Sequence, residues 1–142
     1  MANADTSDFP VRILVVEDYE PWRQLICSKL ETHPEWLVVG ETSNGLEAVQ
    51  MAEDLKPDLI LLDINLPELG GVEAADRICQ VVPHAKILFV TQEDAAEVVR
   101  AALCNGALGY VLKADAVREL LPAIESALRG EPFVSSGVRG NR

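Results

Sequence analysis

Residues 59–71 read LILLDINLPELGG: four aliphatic residues run into an acid, and a Pro- and Gly-containing loop follows. An unbroken apolar run of this length is what a strand covered on both faces requires, as in a parallel sheet. Four further runs share the character: VRILVV (11–16), WLVV (36–39), KILFV (86–90) and GYVL (109–112). With Asp58 included, the central run is DLILL (58–62). The stretches between them carry helical spacing and helix ends. Asn44 with Glu47 makes a capping box before Leu46, Val49, Ala52 and Leu55, and Pro57 closes that helix. Asp94 with Glu97 repeats the start signal ahead of Val98, Val99, Ala102 and Leu103, and Asn105-Gly106 ends the segment. Helices are also expected over 21–31, over 72–82 before Pro83, and from about Asp115 to Leu128. Pro122 falls inside the last of these, so that helix either kinks or begins its regular part later.

Strand and helix thus alternate five times. Right-handed crossovers turn such a chain into an α/β doubly wound parallel sheet, whose ligands gather at the carboxyl ends of the strands. The positions just after the runs hold Glu17 and Asp18, Asp63, Thr91 and Lys113. Taken singly, each has an ordinary explanation: helix-start acids, a solvated strand end, a turn hydroxyl, a surface charge. Together they put three carboxylates, a hydroxyl and an ammonium on one edge. Three close carboxylates repel unless a cation sits among them, and an all-oxygen set favours a hard ion such as Mg²⁺. A carboxylate beside such an ion and a lysine is a nucleophile suited to phosphoryl transfer.

Composition sets the bounds. The 142 residues suit one globular domain, with 49% apolar and 25% charged residues. The 23 acids against 12 bases give a net charge of −11, which argues against direct nucleic-acid binding. No apolar run approaches the length of about 20 residues that spans a bilayer. The start, MANADTSDFP, does not read as a secretory signal, and a cytoplasmic location is expected. Cys27, Cys79 and Cys104 lack metal-ligand spacing and read as reduced core thiols; His33 and His84 read as solvated loop residues, and Trp22 and Trp36 as packing residues.

The segments VVEDYEPWR, LILLDINLPELGG, ILFVTQED and GYVLKAD closely resemble the receiver domains of two-component response regulators, over about residues 11–130. The resemblance implies a flavodoxin-like (βα)5 fold of strand order 2-1-3-4-5 and phosphorylation by a partner histidine kinase. It makes Asp63 the phosphoacceptor. Mg²⁺ would be held by Asp18 and Asp63, by Glu17 through water, and by the Asn65 carbonyl. Thr91 and Lys113 would contact the phosphoryl oxygens, and Tyr110 matches an aromatic switch whose ring turns inward when the threonine engages phosphate. The switching surface would run from the fourth helix to the fifth and engage an output domain, a second copy of the chain as a homodimer, or another protein. Two positions depart from the pattern. Gln92 is larger than the residue usual there and narrows access; Ala114 stands where many relatives have proline, so a cis peptide after Lys113 would cost about 3–4 kcal/mol.

Residues 1–10 read as a flexible lead-in, 11–130 as the receiver, and 131–142 as a C-terminal linker or tail. The closing segment RGEPFVSSGVRGNR (129–142) resembles the linker of regulators with a LuxR-type helix-turn-helix output. DNA would be reached only through such an output domain; the alternative is a stand-alone receiver acting through protein contacts or a phosphorelay. A haloacid-dehalogenase phosphatase also uses a strand-end Asp, but it needs a second acid where Asn65 stands.

Overall fold

The computed structural model describes residues 10–104 and 106–138. The lead-in therefore falls outside the described residues except for Pro10, as do Asn105 and residues 139–142. Strands β1 (Val11–Val16), β2 (Trp36–Thr42), β3 (Leu59–Leu62), β4 (Lys86–Thr91) and β5 (Gly109–Leu112) alternate with helices α1 (Glu20–Glu31), α2 (Gly45–Leu55), α3 (Gly71–Val81), α4 (Ala96–Cys104) and α5 (Ala116–Leu128). All strands, including a short sixth, β6 (Phe133–Val134), pair in parallel in the order β2-β1-β3-β4-β5-β6.

The period of two along each strand divides the core. Leu14, Val16, Ile60, Leu62, Ile87, Phe89 and Tyr110 face α2, α3 and α4, where Ala48, Ala52, Ala75, Ile78, Val99 and Ala102 receive them. Their neighbours Ile13, Val15, Leu59, Leu61, Leu88, Val90 and Val111 face α1 and α5, against Ile26, Leu30, Leu120 and Ile124. Burial on both faces is why the strands read as continuous apolar runs.

Several local expectations shift. In α2 the buried stripe is Gly45, Ala48 and Ala52, whereas Leu46 is exposed, because small residues let α2 approach the β3–α3 loop. A Cβ on Gly45 would meet the Leu69 carbonyl oxygen, and one on Gly71 the Asp63 carbonyl oxygen, so both positions exclude a side chain. Asn44 caps α2 by accepting from the Glu47 N–H at 2.6 Å. Glu47 does not return the bond; its carboxylate takes the Thr42 hydroxyl instead. Helix α4 begins at Ala96, and the Val99 N–H donates to the Ala95 carbonyl just ahead of it. Pro122 lies within α5 on its exposed side, where water can serve the carbonyl it frees, so the helix runs through it. Lys113–Asp115 form a separate 3-10 turn ahead of that helix. No peptide bond among the described residues is cis, which places Lys113-Ala114 in the ordinary trans form. Cys104 is exposed rather than a core thiol, and His33 is half-buried, stacked on Trp36 with centroids 3.9 Å apart.

A sixth strand, β6 (Phe133–Val134), comes from the segment expected to be linker or tail. It pairs with β5 through Gly109↔Phe133 and Tyr110↔Val134. The buried Ser135 hydroxyl then accepts from the Leu112 N–H at 2.9 Å and donates to Glu119 at 2.7 Å. A two-residue strand leaves no periodicity to read, which is why the sequence does not announce it. Ser135→Ala strands the buried Leu112 N–H and should cost about 1–3 kcal/mol in urea unfolding, whereas the exposed Ser136→Ala should cost clearly less.

Candidate functional site

Parallel pairing in register brings the strand ends to one edge. The Glu17 N–H donates to the Thr42 carbonyl and the Asp63 N–H to the Val16 carbonyl, fixing the two acids on adjacent strands. Thr91 pairs with Leu112, so Lys113 emerges next to it. One carboxylate oxygen from each of Glu17, Asp18 and Asp63 lies within 4.8 Å of the others. Glu17 and Asp63 are buried and Asp18 is exposed.

Lys113 joins the cluster. Its Nζ is 3.0 Å from both Glu17 oxygens, donating to Oε2, and 3.0 Å from Asp63 Oδ2. Side-chain exposures of 10% for Lys113, 1% for Glu17 and 5% for Asp63 make this a shielded triad rather than a surface ion pair. The remaining Asp63 oxygen accepts from the Ile64 N–H at 2.6 Å. Glu17 Oε2 also accepts from the Tyr19 N–H at 3.0 Å, but Oε1 is buried without a hydrogen bond of its own. A buried oxygen left over beside two further carboxylates is the donor set a hard divalent cation such as Mg²⁺ takes.

These surroundings set the proton affinities. Burial raises the Glu17 carboxyl above its ordinary value of 4.5, and the Asp63 charge adds to this; the Tyr19 and Lys113 hydrogen bonds oppose it. For Lys113 burial works to lower the value, but hydrogen bonds to Glu17 and Asp63 outweigh it and the ammonium is held above its ordinary range. Burial, then the charge of Glu93, raises Tyr110, which stays a neutral phenol. Burial beside Glu41 pushes the Cys27 thiol up to about 11, far from a reactive thiolate.

Thr91 is fully buried at the end of β4, and its hydroxyl accepts a long bond of 3.4 Å from the Glu93 N–H. Tyr110 is turned inward and fully buried, its hydroxyl donating to the Glu93 carbonyl at 2.8 Å. Asn65 is exposed and donates from its amide to Glu93 at 3.0 Å. A cavity of about 390 Å³ opens above the cluster, walled by Asp18, Asp63, Asn65, Gln92, Lys113 and Trp22, with Tyr19 at its edge. Trp22 is the wall residue that sequence reasoning assigned to packing alone. Its place three residues into the helix after the acid pair was the available signal.

The profile of the response regulator receiver domain matches residues 13–125. The transcriptional regulatory protein LiaR of Bacillus subtilis strain 168 is 36% identical over 92% of this chain and 62% of its own length. The nitrate/nitrite response regulator NarL of Escherichia coli K12 is 35% identical over 94% of this chain and 65% of its own. The chain thus spans about three-fifths of the curated relatives it matches. Among solved structures, a LuxR-family two-component response regulator from Aurantimonas sp. SI85-9A1 superposes with a TM-score of 0.86 at 32% identity, covering 91% of this chain and 92% of that one.

Two stability measurements read the triad directly. Lys113→Ala leaves two buried carboxylates facing each other and should cost about 3–5 kcal/mol in urea unfolding near neutral pH without divalent ions. Because the Glu17 value is raised in the folded state, the folded protein holds that proton more tightly than the unfolded chain. Wild type should therefore gain stability relative to Glu17→Gln as pH falls from neutral through the raised value toward 4.5.

Proposed function

Because this chain belongs to the response regulator receiver family of two-component systems, we propose that Asp63 is its phosphoacceptor and that a partner histidine kinase is the donor. The observation that carries this reading is the Lys113 ammonium 3.0 Å from Asp63, with Glu17 and Asp18 close beside. Glu17, Asp18 and Asp63 would hold Mg²⁺, with the Asn65 carbonyl as a further ligand; the ion supplies countercharge for the transferring phosphoryl group.

Asp63 presents a carboxylate oxygen to the cavity while its other oxygen is fixed by the Ile64 N–H. That oxygen forms the new bond to phosphorus as the bond from phosphorus to the donor nitrogen breaks. The imidazole leaves with the electron pair and a proton from solvent. Lys113 neutralises one phosphoryl oxygen and the Thr91 hydroxyl donates to another, giving a mixed acid anhydride on Asp63. Asn65 and Glu93, joined at 3.0 Å over the site, flank the path of the water that later hydrolyses it. Thr91 and Tyr110 act as the switch: Tyr110 bonds the Glu93 carbonyl two residues beyond Thr91, so its inward position depends on where that loop sits.

On this reading the receiver body is 11–130, and residues 131–142 lead toward an output domain that controls transcription, as in the LuxR-type relatives. The switched surface, from α4 through β5 to α5, would act on that domain or pair with a second copy upon phosphorylation. The alternative, a stand-alone receiver, would use the same site and surface for protein contacts alone.

Acetyl phosphate with Mg²⁺ should add one phosphoryl group to the wild type by intact mass and none to Asp63→Ala, and a chelator should abolish the gain. Equal labelling of the two proteins would overturn the assignment.

A further inference from the structure

Trp22 sits in the first turn of α1, half-buried against the core face that α1 and α5 share. Its ring also faces the site: Lys113 Nζ lies 5.5 Å from the ring centroid, within the range of a cation–π contact. Indole, ammonium and Asp63 all border the same cavity. The ammonium therefore has three electron-rich neighbours, two carboxylates at 3.0 Å and one aromatic face.

These neighbours differ in what else they do. Resting on the phosphoacceptor reading, Glu17 and Asp63 are committed to a cation and to phosphorus during transfer. Their hold on Lys113 weakens once the cation is bound and before a phosphoryl oxygen arrives to pair with the ammonium, and the second positive charge in the site pushes it away. A lysine has a flexible four-carbon stem and regains rotamer freedom by swinging into solvent. The indole has no competing partner in the chemistry. It offers attraction that persists when the carboxylates are engaged, from the wall of the same cavity.

We propose that Trp22 is a positioning residue: its ring face keeps the Lys113 ammonium at the cavity wall beside Asp63 while Glu17 and Asp63 are engaged elsewhere. Phenylalanine keeps an aromatic face at this position and leucine keeps apolar bulk without one, so the two substitutions separate attraction from packing.

The test uses the full chain with ¹³C-labelled lysine. A lysine over a ring is shifted upfield by the ring current, so the Lys113 ε-methylene resonance, assigned by its loss in Lys113→Arg, should lie upfield in wild type and W22F and return to the ordinary position in W22L. This readout needs no phosphoryl donor. In parallel, labelling of Asp63 by acetyl phosphate and Mg²⁺ should slow about 3- to 10-fold in W22L, the range one such contact supports, and less than about 2-fold in W22F. An unshifted Lys113 resonance in wild type, labelling of W22L at the wild-type rate, or equal slowing in both variants would overturn the proposal. Failure of the phosphoacceptor reading looks different: wild type and Asp63→Ala would label alike, whatever residue 22 is.

Discussion

The structure turns on one ammonium placed between two buried carboxylates. Glu17 and Asp63 are both nearly inaccessible, and each sits at the end of a strand pinned by backbone hydrogen bonds to its neighbour. Neither can move away from the other without breaking the sheet. Two such charges out of water are costly, and the cost is offset here by Lys113 at 3.0 Å from each. The arrangement is stable without being satisfied, since one Glu17 oxygen keeps no hydrogen bond of its own. A site with surplus negative charge and a lysine already in place is prepared for a cation, because the cation relieves the repulsion that the fold has imposed.

Everything else positions that triad. The core residues of β1, β3 and β4 interlock on both faces of the sheet, which fixes strand register to a single solution. Register decides that Glu17, Asp63, Thr91 and Lys113 share one edge. The loop after Asp63 folds back tightly, with the Gly71 N–H donating to the Ile64 carbonyl at 2.7 Å and no room for a Cβ at residue 71. The Gly45 N–H donates to Pro67 at 3.2 Å, tying α2 to the same loop. Glycines there keep Asp63 at the cavity floor.

How much of this the sequence disclosed follows from which forces act locally. The five long strands were legible because burial on both faces writes an unbroken apolar run, and the site was legible because acids, hydroxyl and lysine interrupt those runs at equivalent points. The α2 cap at Asn44 is a local bond and was read correctly. What escaped depends on tertiary neighbours. Leu46 looks like a core residue by spacing, yet the buried stripe belongs to Gly45, Ala48 and Ala52, chosen by how closely α2 must approach. Trp22 reads as packing on any helical wheel; only the three-dimensional path of β5 brings Lys113 to its face.

The sixth strand shows the same limit and has a mechanical consequence. β5 is four residues long and buried throughout, so it has little freedom to deform within itself. Its end delivers Lys113 to the site. Its middle carries Tyr110, whose hydroxyl holds the Glu93 carbonyl just past Thr91. Its outer edge carries the exit of the chain: Ser135 N–H donates to the Tyr110 carbonyl at 2.8 Å, and the Ser135 hydroxyl takes the Leu112 N–H at 2.9 Å. The segment after α5 is thus attached to the two residues on either side of Val111, one of them adjacent to Lys113. A shift of Tyr110 or Lys113 therefore has to be absorbed either within a strand packed on both faces or in the short β6 pairing. The β6 pairing, with only two residues in its ladder, is the softer of the two.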